Sequence, residues 1–221
     1  ISLIAAASIV RGIKKENKVI LIGIRKEGKW YLQDDSEYQK VIKDSKAALA
    51  VTADEAKAVS VIPGAKNNSF VVAGKPLNVD VVFPALHGTY GEDGTIQGLF
   101  EMCNIPYVGC THLASAITMD KEKTKMIWQS VGLPVVPYVC MKRSTVLNSV
   151  VYDAALEDIE KELGYPMFVK PCCAGSSNGA SKATNRKELS FAIMDAFQWD
   201  DKILIEKSIN AREVECSVTG N

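Results

Sequence analysis

Val79-Asp-Val-Val-Phe83 is a continuous apolar run bounded by turn residues, the pattern of a strand covered on both faces in a parallel sheet. A glycine-rich loop, His87-Gly-Thr-Tyr-Gly-Glu-Asp-Gly94, follows it, and a helical pattern then places Ile96, Leu99, Phe100 and Cys103 on one face. The same order returns later. A strand over Tyr165–Lys170 runs into the loop Cys172–Gly179, and Asn185 with Glu188 forms a capping pair for a helix burying Leu189, Ile193, Ala196 and Phe197. Strand, loop and helix in alternation specify an α/β protein.

The remaining elements fit around this frame. Leu3, Ala7, Val10 and Ile13 share a helical face behind Ser2 as a cap, and Lys18–Ile24 turns at Glu27-Gly28 into Lys29–Leu32 as a hairpin. Ala58–Ile62 and Ser69–Val72 read as a second strand pair. Residues 33–56 carry only a weak helical pattern. From residue 120 the texture changes: Asp120 caps a Lys-rich helix ending at Gly132, Val135–Met141 is a strand, and a helix through Leu156, Ile159 and Leu163 stops at Gly164. Lys202–Glu206 and the strictly alternating Glu213–Val218 are further strands. A domain boundary is expected near residue 118.

With 26 basic and 26 acidic side chains the formal net charge is zero, which leaves no electrostatic footprint for nucleic acid or an anionic membrane. The longest stretch free of charge, Met102–Met119, is broken by Asn104, Pro106 and Gly109, so it is no membrane span. No signal-peptide pattern is present. Six cysteines without a CxxC spacing read as free, mostly buried thiols of a reducing cytoplasm. The adjacent Cys172 and Cys173 suit packing better than redox chemistry. Two distant histidines, His87 and His112, give no metal-ligand spacing. Ile1 opens inside a helical pattern without a Met and Asn221 closes just after a strand, so both ends read as cut.

Lys170-Pro-Cys-Cys-Ala-Gly-Ser-Ser-Asn-Gly179 is the segment with the clearest chemistry. Gly175 and Gly179 permit conformations closed to other residues, so exposed N–H groups and two hydroxyls can form a nest for phosphate oxygens, with Lys170 adding a charge. A plain Gly/Ser turn is the alternative, and the P-loop pattern GxxxxGK[ST] is absent. Glu206-Lys207 at a strand end and Glu213 could serve adenine and ribose, although solvated strand-end charge is the better reading of them taken alone. The His87–Gly94 loop lies where parallel sheets bind ligands, at a helix N-terminus suited to a carboxylate. Asp93 could also merely cap that helix.

The blocks beginning Val82-Phe-Pro-Ala-Leu-His-Gly-Thr-Tyr-Gly-Glu-Asp-Gly-Thr-Ile-Gln-Gly-Leu-Phe-Glu101 continue as Ile105-Pro-Tyr-Val-Gly109, Ser115-Ala116 and Met119-Asp-Lys121. They end in Phe168-Val-Lys-Pro171, Gly175-Ser-Ser177 and Glu213-Val-Glu215. In order and spacing they resemble the D-alanine–D-alanine ligases of the ATP-grasp superfamily, and Leu21-Ile-Gly-Ile24 with Gly28–Leu32 matches that family's first domain. The resemblance implies an N-terminal doubly wound, Rossmann-like (preATP-grasp) domain over residues 1–118, then an incomplete ATP-grasp domain over 119–221. It implies an enzyme that phosphorylates the carboxylate of one D-alanine with ATP and lets the amine of a second attack the resulting D-alanyl phosphate, for peptidoglycan precursors in the cytoplasm. A homodimer is the expected assembly.

By the same match, Lys121 and Lys170 hold ATP phosphates, and Ser177 with the backbone at Gly175 covers the β- and γ-phosphates. Glu206, Lys207 and Ile209 meet adenine, partly through backbone, and Glu213 meets ribose. His87 lies beside the first D-alanine, and Ser176 matches a serine that hydrogen-bonds a glutamate and a tyrosine. Asn178 and the Cys172-Cys173 pair depart from the family pattern, with altered loop packing as the expected consequence. The family's two Mg²⁺ ions are held by Asp, Glu and Asn side chains that match nothing up to Asn221, so no metal ligand is assigned here. A relative using D-lactate or D-serine, another ATP-grasp ligase, and a non-catalytic nucleotide-binding fragment are the competing readings.

Overall fold

A computed structural model describes residues 1–218, and the chain divides into two compact units, Ile1–Ala116 and Ile117–Asn221. In the first, helix α1 (Ser2–Gly12) buries Ala7 and Val10 against Val41 and Leu49, the middle of the apolar face read from the sequence. Ser2 lies inside the helix instead of capping it; Ile1 holds the cap position and offers no side-chain acceptor. Strands β1 (Ile22–Ile24) and β2 (Trp30–Leu32) form the expected hairpin, with Gly28 at φ 87° in the turn. Helix α2 (Asp35–Lys43) occupies part of the weakly patterned stretch. Strands β3 (Val59–Val61), β4 (Phe70–Val72) and β5 (Lys75–Pro76) make a three-stranded antiparallel sheet.

The run Val79–Phe83 is much less regular than its composition suggests. It is reduced to one parallel bridge, Val82 to Tyr107, in which Val82 N–H donates to Pro106 O at 2.9 Å and Val108 N–H donates to Val82 O at 2.9 Å. Asn78 at φ 53° precedes the run and Pro84 follows it, so neither end propagates a ladder. The bridge still delivers the chain to the His87 loop and to α3 (Thr95–Cys103). Ile96, Phe100 and Cys103 of α3 pack with Phe70 and Ile105, and the rings of Trp30, Phe70, Phe100 and Tyr107 follow one another at 5.7–6.4 Å. Helix α4 (His112–Met119) comes next.

In the second unit, α5 (Lys121–Ser130) is capped as expected, Asp120 accepting from the N–H groups of Glu122 and Lys123. Strand β6 (Tyr138–Lys142) starts later than expected, because Pro134 and Pro137 have no N–H for a ladder. Helix α6 (Ser149–Leu163), capped by Asn148, ends at Gly164. Strand β7 (Met167–Pro171), the short β8 (Ser181–Ala183), helix α7 (Arg186–Ala196) and β9 (Lys202–Lys207) complete the unit. The sheet order is β6-β9-β7-β8 and every pairing is antiparallel. Asn185 accepts from Glu188 N–H as expected, while the Glu188 carboxylate returns to Thr184.

Side chains alternate across a strand, so the register sorts this sheet into two faces. Met141, Met167, Val169, Ile203 and Ile205 lie on one, sealed by Leu156, Ile159 and Leu163 of α6 and by Leu189 and Ile193 of α7. Truncating one such fully buried residue, Ile205→Ala, removes about 2–5 kcal/mol. The opposite face carries the polar alternates Cys140, Lys170, Lys202 and Glu206. The strand expected at Glu213–Val218 does not form: residues 208–218 are irregular, and Ser208 N–H, bonded to Pro166 O, is the last ladder-like contact among the described residues. Alternation makes a segment two-faced, but a strand also needs a neighbour for its backbone.

Candidate functional site

On the polar face of the second unit, α5 and β9 are joined by buried ion pairs. Lys202 Nζ lies 2.5 Å from Asp120 Oδ2 and 2.7 Å from Glu122 Oε2. Two alternate positions along β9, Glu206 shares its carboxylate between two lysines, Oε1 with Lys125 Nζ at 2.7 Å and Oε2 with Lys170 Nζ at 2.5 Å. Burial alone pulls the Lys202 ammonium down, but hydrogen bonds to Asp120 and Glu122 outweigh it and hold the pKa well above the usual lysine value. Glu206 is a buried counter-ion, not the solvated strand-end charge of the simpler sequence reading. The reason is its register: at 206 it falls on the polar face, opposite Phe168 and one step from Lys170.

Lys121, the first residue of α5, reaches the loop after β7. Its ammonium donates to Ala174 O at 2.6 Å and Cys172 O at 3.2 Å, and its own N–H donates to Cys172 O. Burial lowers its pKa, and the nearby Lys170 charge lowers it further. Two lysine charges that repel one another favour an anion beside them, since a negative group offsets that repulsion and the cost of burying Lys121. This is the fit to a phosphate that the residues present allow.

The loop itself departs from expectation in one respect. Gly175 stands in open space without a positive φ, so nothing there demands glycine. The left-handed residues are Ser176 at φ 53°, Ser177 at φ 56° and Gly179 at φ 65°. Two serines held there store backbone strain, as binding loops often do. Gly179 is required: a Cβ would sit 2.4 Å from Trp199 Cδ1 and 3.0 Å from Pro171 Cγ. The loop base is tied by Cys173 N–H to Asp200 Oδ2 at 2.7 Å and Cys172 N–H to Lys202 O at 2.9 Å. The tip, including both serines, is exposed, and among the described residues Ser176 bonds no glutamate or tyrosine.

The thiols are less buried than the sequence suggested: only Cys103 and Cys172 are buried, while Cys110, Cys173 and Cys216 are exposed. All six cysteines are free. A hydrogen bond to Cys140, with burial, pushes the Cys172 thiol far up, and burial foremost pushes Cys173 up to about 11. The adenine-side candidates are not gathered: the Lys207 side chain is exposed and its N–H is used by Pro137 O, Ile209 is 55% exposed, and Glu213 lies in the irregular exposed segment. Among the described residues no group of three or more His, Cys, Asp or Glu is placed to hold a metal ion. Sequence reasoning missed Lys125, Lys202 and Glu122. The signals were there: Lys125 follows Lys121 by one helical turn, and 202, 204 and 206 share a strand face.

In the first unit the His87 loop is closed on itself. His87 Nδ1 is 3.4 Å from Glu92 Oε1, and Glu92 Oε2 accepts from Gly88 N–H at 2.7 Å. Asp93 accepts from Tyr90 N–H at 2.9 Å and Thr95 N–H at 3.0 Å, but it stands one residue before the cap position of α3, which Gly94 holds without a side-chain acceptor. Burial opposes its ionisation, yet those N–H bonds keep its pKa below the usual value. Gly94, at φ 89°, has no room for a side chain, since a Cβ would lie 2.5 Å from His112 O. Tyr90, at φ 67° and 70% exposed, is presented outward by the same turn.

A family model described as D-ala D-ala ligase N-terminus matches residues 1–110, and one described as D-ala D-ala ligase C-terminus matches 127–221. The D-alanine–D-alanine ligase of Treponema denticola is 53% identical over the whole chain, and ligase A of Escherichia coli K12 is 39% identical, also over the whole chain. Among solved structures, the VanG D-Ala:D-Ser ligase of Enterococcus faecalis superposes on 94% of this chain with TM-score 0.76 and 35% identity. The Coxiella burnetii D-alanine–D-alanine ligase covers 94% with TM-score 0.75 and 27% identity. The chain spans 60% of the two curated relatives and 57–58% of the two structures. With both family models matched in order and whole-chain identity of this size, the chain belongs to the D-alanine–D-alanine ligase family.

Proposed function

We propose that this chain contributes the first-substrate loop and the ATP phosphate site of an ADP-forming ligase that joins two D-alanines. The observation that carries the reading is the placement of two lysines at the Cys172–Gly179 loop, Lys121 reaching it from the start of α5 and Lys170 standing at the end of the strand that leads into it. Bound ATP supplies the phosphoryl group that turns an unreactive carboxylate into an acylating agent. Lys121 and Lys170 neutralise charge spread over the phosphate oxygens, the main work of such sites. Ser177 and the backbone around Gly175 lie over the β- and γ-phosphates, and Ser176 orients neighbouring side chains. Glu206, Lys207 and Ile209 border adenine, Glu213 the ribose, and two Mg²⁺ ions belong to the whole protein's site. His87, beside the N-terminus of α3, orients the carboxylate of the first D-alanine.

No helix among the described residues is long and apolar enough to cross a membrane. The reading places the whole protein in the cytoplasm as a homodimer, supplying peptidoglycan precursor. ADP release by the full-length protein with ATP, Mg²⁺ and D-alanine tests it. Release that depends on D-alanine and yields the dipeptide is expected. Release indifferent to D-alanine, or dependent on an L-amino acid, overturns it. The likeness to a D-Ala:D-Ser ligase makes D-serine the comparison substrate, and a preference for D-serine as second substrate would revise the product.

A further inference from the structure

Glu206 is unusual in holding two lysines, one on each oxygen, and the two are not equivalent. Lys125 is the more enclosed: its side chain is 11% exposed, its ammonium also donates to Val136 O at 3.2 Å, and it lies 5.1 Å from the centre of the Tyr138 ring. Lys170 is 25% exposed, and among the described residues Glu206 is its one ion-pair partner. One lysine is therefore fixed and the other is free to leave.

We propose that Lys125 is a positioning residue for nucleotide binding, holding the buried Glu206 charge so that Lys170 can exchange Glu206 for a phosphate oxygen. The inference rests on the nucleotide reading above. A carboxylate buried this deeply is costly without a counter-ion. If Lys170 were its only partner, each departure of Lys170 toward a phosphate would strand the charge, and the pair would stay closed. With Lys125 at 2.7 Å on the other oxygen, Glu206 remains compensated whether Lys170 is on it or on the ligand. The departure then costs one interaction out of two, and the phosphate replaces it.

The test is a mutant cycle on the full-length protein, reading ATP and adenosine affinity by titration calorimetry. Lys125→Met is expected to weaken ATP about tenfold to a hundredfold, the scale of one stranded buried charge. Adenosine, which offers Lys170 no phosphate, is expected to change no more than about twofold. In a Glu206→Gln background no charge can be stranded, so adding Lys125→Met is expected to leave ATP affinity unchanged. If Lys125→Met alone does not fold, Glu206→Gln compared with the double variant still decides. Wild-type ATP affinity in Lys125→Met, equal losses for ATP and adenosine, or a further loss in the double variant would overturn the inference while leaving the nucleotide reading intact. A wild-type protein that binds no ATP would overturn that reading and the inference with it.

Discussion

Replacing Lys202 by Met removes the cation that joins the capped end of α5 to β9. The side chains of Lys202, Asp120 and Glu122 are 18%, 17% and 20% exposed, and the lysine contacts both carboxylates at 2.5 and 2.7 Å. The variant keeps the stem but leaves two half-dry carboxylates facing one another. Breaking a buried pair in this way costs about 3–5 kcal/mol, and residual solvent access argues for about 3. For a unit of this size that is a fall of roughly 12 °C or more in Tm. The pH dependence identifies the cause. A hydrogen bond from Lys202 leads the effects that hold the Glu122 carboxyl below its ordinary value. Its stabilising contribution is therefore present above the usual carboxylate range and fades as pH falls through the depressed folded value. In the variant, acid instead relieves the stranded charges. Urea denaturation should show a difference of about 3 kcal/mol at pH 7 shrinking to about 1 near pH 4. A difference below about 1 kcal/mol at pH 7, or one that widens toward acid, would refute the reasoning.

Gly179→Ala meets both a left-handed backbone and the Trp199 ring, so a loss of about 2–4 kcal/mol is expected in urea titrations, whereas Gly175→Ala, in open space, should stay within about 0.5 kcal/mol. Similar losses at both glycines would contradict the loop geometry. Asn148→Ala removes the acceptor for the N–H groups of Val150 and Val151 at the start of α6 and should cost about 1 kcal/mol, checked by the shift in urea midpoint.

What could be read in advance follows local rules. Capping by Asp120, the stop of α6 at Gly164 and the Gly28 hairpin each depend on residues within a few positions, and each formed as expected. The failures depend on neighbours that periodicity cannot reveal. Val79–Phe83 has the composition of a central strand, yet its flanking residues limit it to one bridge. Glu213–Val218 alternates, yet finds no ladder among the described residues. At the site, Lys121 and Lys170 were legible from their motifs. The partners of Lys170 were not, because Glu206 reaches it through a strand register and Lys125 reaches Glu206 from a helix far away in sequence.

Lys170→Met tests the central claim, that this sheet face binds phosphate. Because Lys125 still compensates Glu206 at 2.7 Å, removing Lys170 should shift Tm without nucleotide by less than about 3 °C. ATP affinity, measured by titration calorimetry on the full-length protein, should fall about tenfold or more, the scale of one charge-assisted contact to phosphate. Unchanged ATP affinity together with a large loss of stability would show that Lys170 only braces the sheet, and would contradict the account.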